Sequence, residues 1–343
     1  MPEATPDPSR STALDDPDAA SSVLSEAPDE TDLVMEAPTA AYADAVVSTA
    51  GGVAGAGASP GPLNRYKAKK VGLLFYLCVG WLVLLVVLAV IYPILPLPDP
   101  SRTGQGPARM APFEDMGHIL GTDSLGRDML ARLIVGARVS LAVGFMSIIF
   151  GLVVGGLIGV VAGYFRGRLE GVLMTVMDAL LAFPALIFAL ALITFVARNN
   201  ANIWHVTITI GVLSIPSISR IIRASTLTFS QREFVLAART LGAKDWRIIR
   251  REILPNVLPP ALSFSLIAVA VAIVAEGTLA FLGLSVRPPT PTWGGMINEG
   301  RQVLRDASHV SLIPATVLVM TVLALNYAGD ALQAKFAFRE GGV

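Results

Sequence analysis

Of 343 residues only one is a cysteine, Cys78, and only three are histidines, His118, His205 and His309. That scarcity excludes a disulfide framework and any cysteine-based zinc or iron–sulfur site, and the histidines are too scattered for helical metal-ligand spacing. Charge is scarce too, at 15% of residues against about 25% in an ordinary soluble domain. No Gly-Lys-Ser/Thr phosphate loop occurs, so nothing in the chain is built to hydrolyse a nucleotide. Apolar residues take the place of these groups. They make up 53% of the chain, and a mean hydropathy of +0.63 is that of a membrane protein.

The formal net charge of zero averages two unlike pieces. Residues 1–64 hold eleven acids against Arg10 alone, with eight prolines and the Ala/Gly run Gly51 to Gly61, whereas residues 65–343 hold 25 basic and 15 acidic residues. The first composition buries too little apolar area to offset the entropy of ordering, so 1–64 is expected to be a disordered cytosolic tail. A cleaved signal peptide is not expected, because the first long apolar run begins only at Val71. The second piece, 65–343, reads as a transmembrane domain.

A span needs about 20 predominantly apolar residues. Five stretches qualify: 71–95, 140–164, 172–196, 261–284 and 310–332. A sixth, 203–222, carries Thr207, Thr209, Ser214, Pro216 and Ser217, with Arg220 near its end, and is expected to face other helices or water. With the N-terminus inside, sixteen basic residues fall on cytosolic segments and nine on external ones. Without the 203–222 span the basic loop that follows it would lie outside. The expectation is an all-α, polytopic protein with six transmembrane helices and both termini cytosolic.

Gly151, Gly155, Gly159 and Gly163 recur every fourth residue and form one smooth helix face, suited to close approach of a neighbouring backbone; ordinary glycine filler is the plainer account. In the cytosolic loop 223–255, Glu233 to Leu241 reads as a short helix ended by Gly242, and Lys244 to Leu254 as a second ended by Pro255. Trp246, Ile249 and Ile253 share one face of the second helix, opposite Lys244, Arg247, Arg250 and Arg251. Such a basic amphipathic unit either lies on anionic lipid or docks into a groove of a cytosolic partner. Asp178 and Glu276 sit among apolar neighbours, where an acid costs several kcal/mol unless paired or hydrated; each either lines a polar path or is structural. Pro184 is expected to kink the helix of Asp178. Outside, Met129, Leu130, Leu133 and Ile134 suggest a short surface helix, and Pro288, Pro289, Pro291 and Trp293 a stiff stretch ending in an interfacial aromatic. These segments either receive a partner or cap the bundle.

Four stretches together carry a resemblance. Glu233-Phe-Val-Leu-Ala-Ala-Arg-Thr-Leu-Gly242 with Ile253-Leu-Pro255 resembles the "EAA" loop of permease subunits in binding-protein-dependent ABC importers. His118-Ile-Leu-Gly-Thr-Asp-Ser-Leu-Gly-Arg-Asp128, Met177-Asp-Ala-Leu-Leu-Ala-Phe-Pro184, and Glu276-Gly-Thr-Leu-Ala-Phe-Leu-Gly283 running on to Trp293-Gly294 are similar to the C-type permease of dipeptide and oligopeptide importers. The family's EAA acid falls on Leu236 here, with Glu233 one turn earlier.

The resemblance implies one half of a translocation path for di- or oligopeptides in the cytoplasmic (inner) membrane. It implies a homologous permease subunit, nucleotide-binding ATPase subunits and an extracytoplasmic substrate-binding protein as partners, besides membrane lipid. ATP and Mg would be held by the partner subunits, with no cofactor, metal or nucleic acid bound by this chain. It further implies that the elbow residues Glu233, Ala237, Ala238, Gly242, Trp246, Arg250, Leu254 and Pro255 engage the ATPase. Relatives in the group carry nickel or other small solutes, which is the alternative substrate reading. A secondary transporter would call for inverted repeats and more paired intramembrane charges, and a membrane enzyme for a nucleophile and base that are not seen.

Overall fold

The computed structural model describes residues 73–197 and 201–340, the side chains as far as Ala334. The tail 1–64, the basic residues 65–70 and Arg198 lie outside the described residues. Every regular element among the described residues is helical. Helix α1 spans Leu73–Ile91 and ends in a 3-10 turn, Tyr92–Ile94. It is followed by α2 (Met129–Phe165), α3 (Gly167–Leu181), α4 (Ala185–Ala197) and α5 (Ile203–Phe229). Then come α6 (Glu233–Thr240), α7 (Asp245–Ile248), α8 (Leu254–Phe281), α9 (Trp293–Arg301) and α10 (His309–Glu340).

The organising contact is α2 against α5. All four glycines of the stripe are buried in it. A β-carbon on Gly155 would come within 2.7 Å of the Ile215 carbonyl oxygen, one on Gly159 within 2.6 Å of the Ser219 oxygen, and one on Gly163 within 2.7 Å of Thr226 Cβ; one on Gly151 would strike Ser214 Oγ. Contact at such range is what small residues permit in lipid, where dispersion and not hydrophobicity drives helix association. The pairings rise together along both helices, beginning with the Ser147 hydroxyl on the Thr207 carbonyl at 3.0 Å, so α2 and α5 run parallel.

Parallel neighbours need a crossing between them, and the expected third span does not supply it as one helix. Residues 167–197 form α3 and α4, bent by 92° at Ala182–Pro184. Pro184 lacks the N–H that would bond back to Leu180, and its ring disfavours helix at Phe183, so the kink expected there is a full break. At 1.5 Å per residue the two pieces are about 22 and 20 Å long, and at a right angle they reach about 30 Å end to end, the thickness of a hydrocarbon core. The bent pair therefore returns the chain across the membrane. With the five continuous spans among the described residues, six crossings result.

Three further helix limits differ from expectation. The first turns of α2 contain Met129, Leu130, Leu133 and Ile134, which are not a separate surface helix, because Asp128 caps their start by accepting from the Ala131 amide at 2.7 Å. Arg220 lies nine residues before the end of α5, which runs through Phe229. Pro255 does not end the second loop helix: α7 passes through a π-turn, Ile249–Ile253, directly into α8, with Pro255 at the junction. The loop expected at 223–255 is thus irregular only at 230–232 and 241–244.

Replacing Gly155 by Leu overpacks the α2–α5 contact and should destabilise the fold by about 3 kcal/mol or more, since the obstacle is backbone. Gly171→Ala in α3, where a β-carbon meets nothing within 4 Å, should be neutral. Thermal unfolding of the detergent-solubilised protein checks both.

Candidate functional site

The elbow is built from α6, the bend at Leu241–Lys244, and α7. Gly242 has φ +75°, the left-handed region that favours glycine. The Ala243 amide donates to the Ala238 carbonyl at 3.1 Å and the Gly242 amide to Arg239 at 2.9 Å, a Schellman motif that turns the chain tightly between the two helices. Val235, Ile248 and Ile253 are fully buried beneath it. Trp246, expected to share a face with Ile249 and Ile253, is instead 70% exposed, because the π-turn adds a residue to the helix and rotates that face by about one position. Leu241 is 87% exposed and Leu236 52%, and Phe234 also faces outward. Of the residues expected to engage an ATPase, Glu233, Ala237, Gly242, Trp246, Arg250, Leu254 and Pro255 are exposed and Ala238 is half-buried.

This apolar knob is tied to the core at the shared end of α2 and α5. The Tyr164 hydroxyl donates to Asp245 Oδ1 at 2.6 Å, and the Arg239 guanidinium lies 5.2 Å over the Tyr164 ring. Arg166, just past α2, donates to Ser230 Oγ at 3.2 Å, just past α5. Tyr164, Arg166, Ser230, Gln231, Leu236 and Arg239 line an open cavity of about 320 Å³ beneath α6. A push on the elbow is therefore delivered to α2 and α5 together.

The opposite end holds a polar cluster that sequence reasoning did not single out. Arg127 Nε donates to Asp123 Oδ2 at 2.5 Å and Arg127 Nη2 to Glu299 Oε2 at 2.6 Å, while Arg132 Nη2 reaches the same Glu299 oxygen at 2.9 Å. Asp123, Arg127 and Arg132 are buried, and the cluster joins the 95–128 segment, α2 and α9. Gly126, φ +68°, makes the turn that brings Arg127 back onto Asp123. The signal was present in the order Asp123, Arg127, Arg132, but the partner Glu299 is 167 residues beyond Arg132. His118 Nδ1 lies 2.8 Å from Asp128 Oδ2. That hydrogen bond, outweighing burial, raises the His118 pKa above 6.5.

Residues 155–340 match the profile of the family described as "Binding-protein-dependent transport system inner membrane component". The chain belongs to that family. It is 37% identical over 235 residues to the glutathione transport system permease protein GsiD of Pectobacterium atrosepticum, covering 68% of this chain and 75% of the relative. The GsiD of an Escherichia coli O6:K15:H31 strain is 38% identical over 216 residues, 63% and 70% of the two chains. An inward-facing structure of the MetNI methionine ABC transporter superposes with TM-score 0.52 at 21% identity, over 61% of this chain and 97% of the other, a likeness of fold. The chain is thus a multi-pass inner-membrane permease subunit of an ABC importer.

Within the permease the two intramembrane acids have separate surroundings. Glu276 of α8 is completely buried, accepting from Ser285 Oγ at 2.6 Å and Ser140 Oγ at 3.3 Å, and Ser140 in turn accepts from the Trp293 amide at 3.1 Å. Trp293, expected at the interface, is fully buried, its indole N–H donating to the Leu133 carbonyl at 3.1 Å. Asp178 is exposed and paired with Arg220 of α5 at 2.5 Å, because α3 covers only part of α5. Ser140 and Gly159 mark the two levels on α2, about 28 Å apart at 1.5 Å per residue. The structure therefore brings Asp178 and Pro184 close in sequence and space but keeps Glu276 at the other end.

Two outcomes are expected at the outer end. Glu299→Gln leaves Arg127 and Arg132 short of a counter-ion and should cost about 2 kcal/mol in unfolding free energy. Since the folded pKa of His118 exceeds its unfolded value of 6.5, the pair with Asp128 stabilises fully below pH 6.5 and is lost as pH rises through the folded pKa. Hydrogen exchange in residues 105–128 should therefore become less protected relative to the core from pH 6.5 upward, and His118→Gln should flatten that trend.

Proposed function

We propose that this permease forms half of the translocation path for small peptides delivered by an extracytoplasmic binding protein, with a homologous permease completing the path. ATP is held with Mg and hydrolysed by nucleotide-binding subunits, and this chain supplies no hydrolytic group. The observation that carries the reading is the elbow: an exposed apolar knob of Phe234, Leu241 and Trp246, fastened by Tyr164–Asp245 to the end of α2, which Arg166–Ser230 ties in turn to the end of α5. A surface helix resting on lipid would turn its apolar side chains toward the membrane and would not need that fastening to α2 and α5. A knob seated in a groove needs both exposed anchors and a rigid mount, because closure of the ATPase pair is useful only if it biases the membrane helices. The peptide class is supported by GsiD, named for glutathione transport.

Gly242→Pro is incompatible with the left-handed bend and should leave insertion and yield intact while ATP-driven uptake is lost. Trp246→Ala should weaken capture of the nucleotide-binding subunit by roughly tenfold or more, as expected for an exposed aromatic anchor. Uptake of labelled glutathione or dipeptide into proteoliposomes holding the assembled transporter, read beside ATP hydrolysis, tests both. Uptake at the normal rate in the Gly242→Pro transporter would contradict the coupling role.

A further inference from the structure

The inner half of the α3–α5 contact carries two ion pairs. Arg223 donates to Glu170 through Nε at 2.7 Å, both groups partly covered. Arg220, one turn deeper than Arg223, and Asp178, about two turns beyond Glu170, are open: their side chains are 49% and 57% exposed. Depth makes that exposure informative. Gly163 of α2 packs on Thr226 at the level where the apolar stretch ends before Arg166, and Arg220 is six residues deeper along α5, about 9 Å inside the hydrocarbon boundary. A charged pair turned toward lipid at that depth costs several kcal/mol, so its open side faces water or a polar surface.

The break at Ala182–Pro184 is a second, separate observation in the same stretch of chain. It begins one turn after Asp178, and Ala182, Phe183 and Pro184 are all exposed. Helix ends leave carbonyls and amides without intrahelical partners, and such backbone within a membrane is tolerated only where protein covers it or water fills a cavity beside it. Charged side chains and interrupted backbone thus lie one turn apart, beside exposed Val176, Leu181 and Phe183, whereas α1 and the middle of α2 expose side chains such as Val83, Leu84, Val153 and Leu157 and carry no charge at all.

We infer that the Asp178–Arg220 pair, beside the Pro184 break, lines an aqueous passage through the inner third of the membrane and binds the charged ends of a zwitterionic solute in transit. Arg220 receives the solute carboxylate and Asp178 its ammonium group, each exchanging a partner on the neighbouring helix for one on the solute, so no charge is left unpaired during passage. The ligand class rests on the peptide reading above; the water-lined position does not.

The test uses the assembled transporter in proteoliposomes with Cys78→Ser as background. Arg220→Cys should react with a membrane-impermeant, positively charged methanethiosulfonate added on the elbow side, modification should abolish ATP-driven uptake, and excess dipeptide should slow it. Ser217→Cys, one turn away on the same face, serves if Arg220→Cys assembles poorly. Asp178→Asn should reduce dipeptide uptake by roughly tenfold at unchanged yield, the size of one charged hydrogen bond lost. Absence of reaction at both cysteines in a transporter that still works would overturn the inference, placing the pair against lipid or sealed by a partner. Reaction that dipeptide does not slow, with normal uptake by Asp178→Asn, would overturn the solute contact. Reaction in a transporter whose unmodified form imports no peptide would uphold the passage and refute the peptide reading.

Discussion

The close parallel packing of α2 on α5 is the constraint from which the rest of the fold follows. Backbone lies close on the neighbouring helix along about three turns because Gly151, Gly155, Gly159 and Gly163 present no side chain, and in a membrane such dispersion contact is the main attraction available between apolar helices. Once two helices joined by a single connection run the same way, that connection has to cross the bilayer. Here it does so as a bent pair, α3 and α4, whose break at Pro184 places irregular backbone inside the membrane.

Polar groups are distributed so that each cluster ties different elements together. At the outer end Asp123, Arg127, Arg132 and Glu299 clamp the 95–128 segment and α9 onto the start of α2. Slightly deeper, Glu276 joins α8 to α2 through Ser140 and to the 282–292 loop through Ser285. At the inner end Tyr164 fastens the elbow and Arg166 ties the ends of α2 and α5 together. The outer end is thus cross-linked by buried charge, while the inner end carries exposed anchors on a stiff mount. A rigid outer scaffold with an elbow that moves α2 and α5 as a unit suits a subunit whose work is done elsewhere and transmitted to it, the arrangement expected of an importer permease.

Much of this was legible before the fold was known, because the relevant signals are local. Apolar runs mark spans, the fourfold glycine period marks a contact face, and the glycine between two short helices marks a tight bend. Where expectation failed, the deciding interaction was distant or the helix changed type. A π-turn at Ile249–Ile253 carries α7 into α8 and turns Trp246 outward, and nothing in local spacing distinguishes that from a helix stopped at Pro255. The clamp on Glu299 joins residues 172 and 167 positions apart.

The sequence by itself determined the membrane class, the number of crossings, the smooth face of α2 and the place of the elbow, since each depends on hydrophobicity, period or backbone freedom within one segment. The tertiary structure alone decided which helix the glycines meet, that Asp178 is open and paired while Glu276 is sealed, and how the elbow is mounted. Those outcomes depend on which distant groups share a low-dielectric space, where an unpaired charge is costly and each polar atom must find its partner.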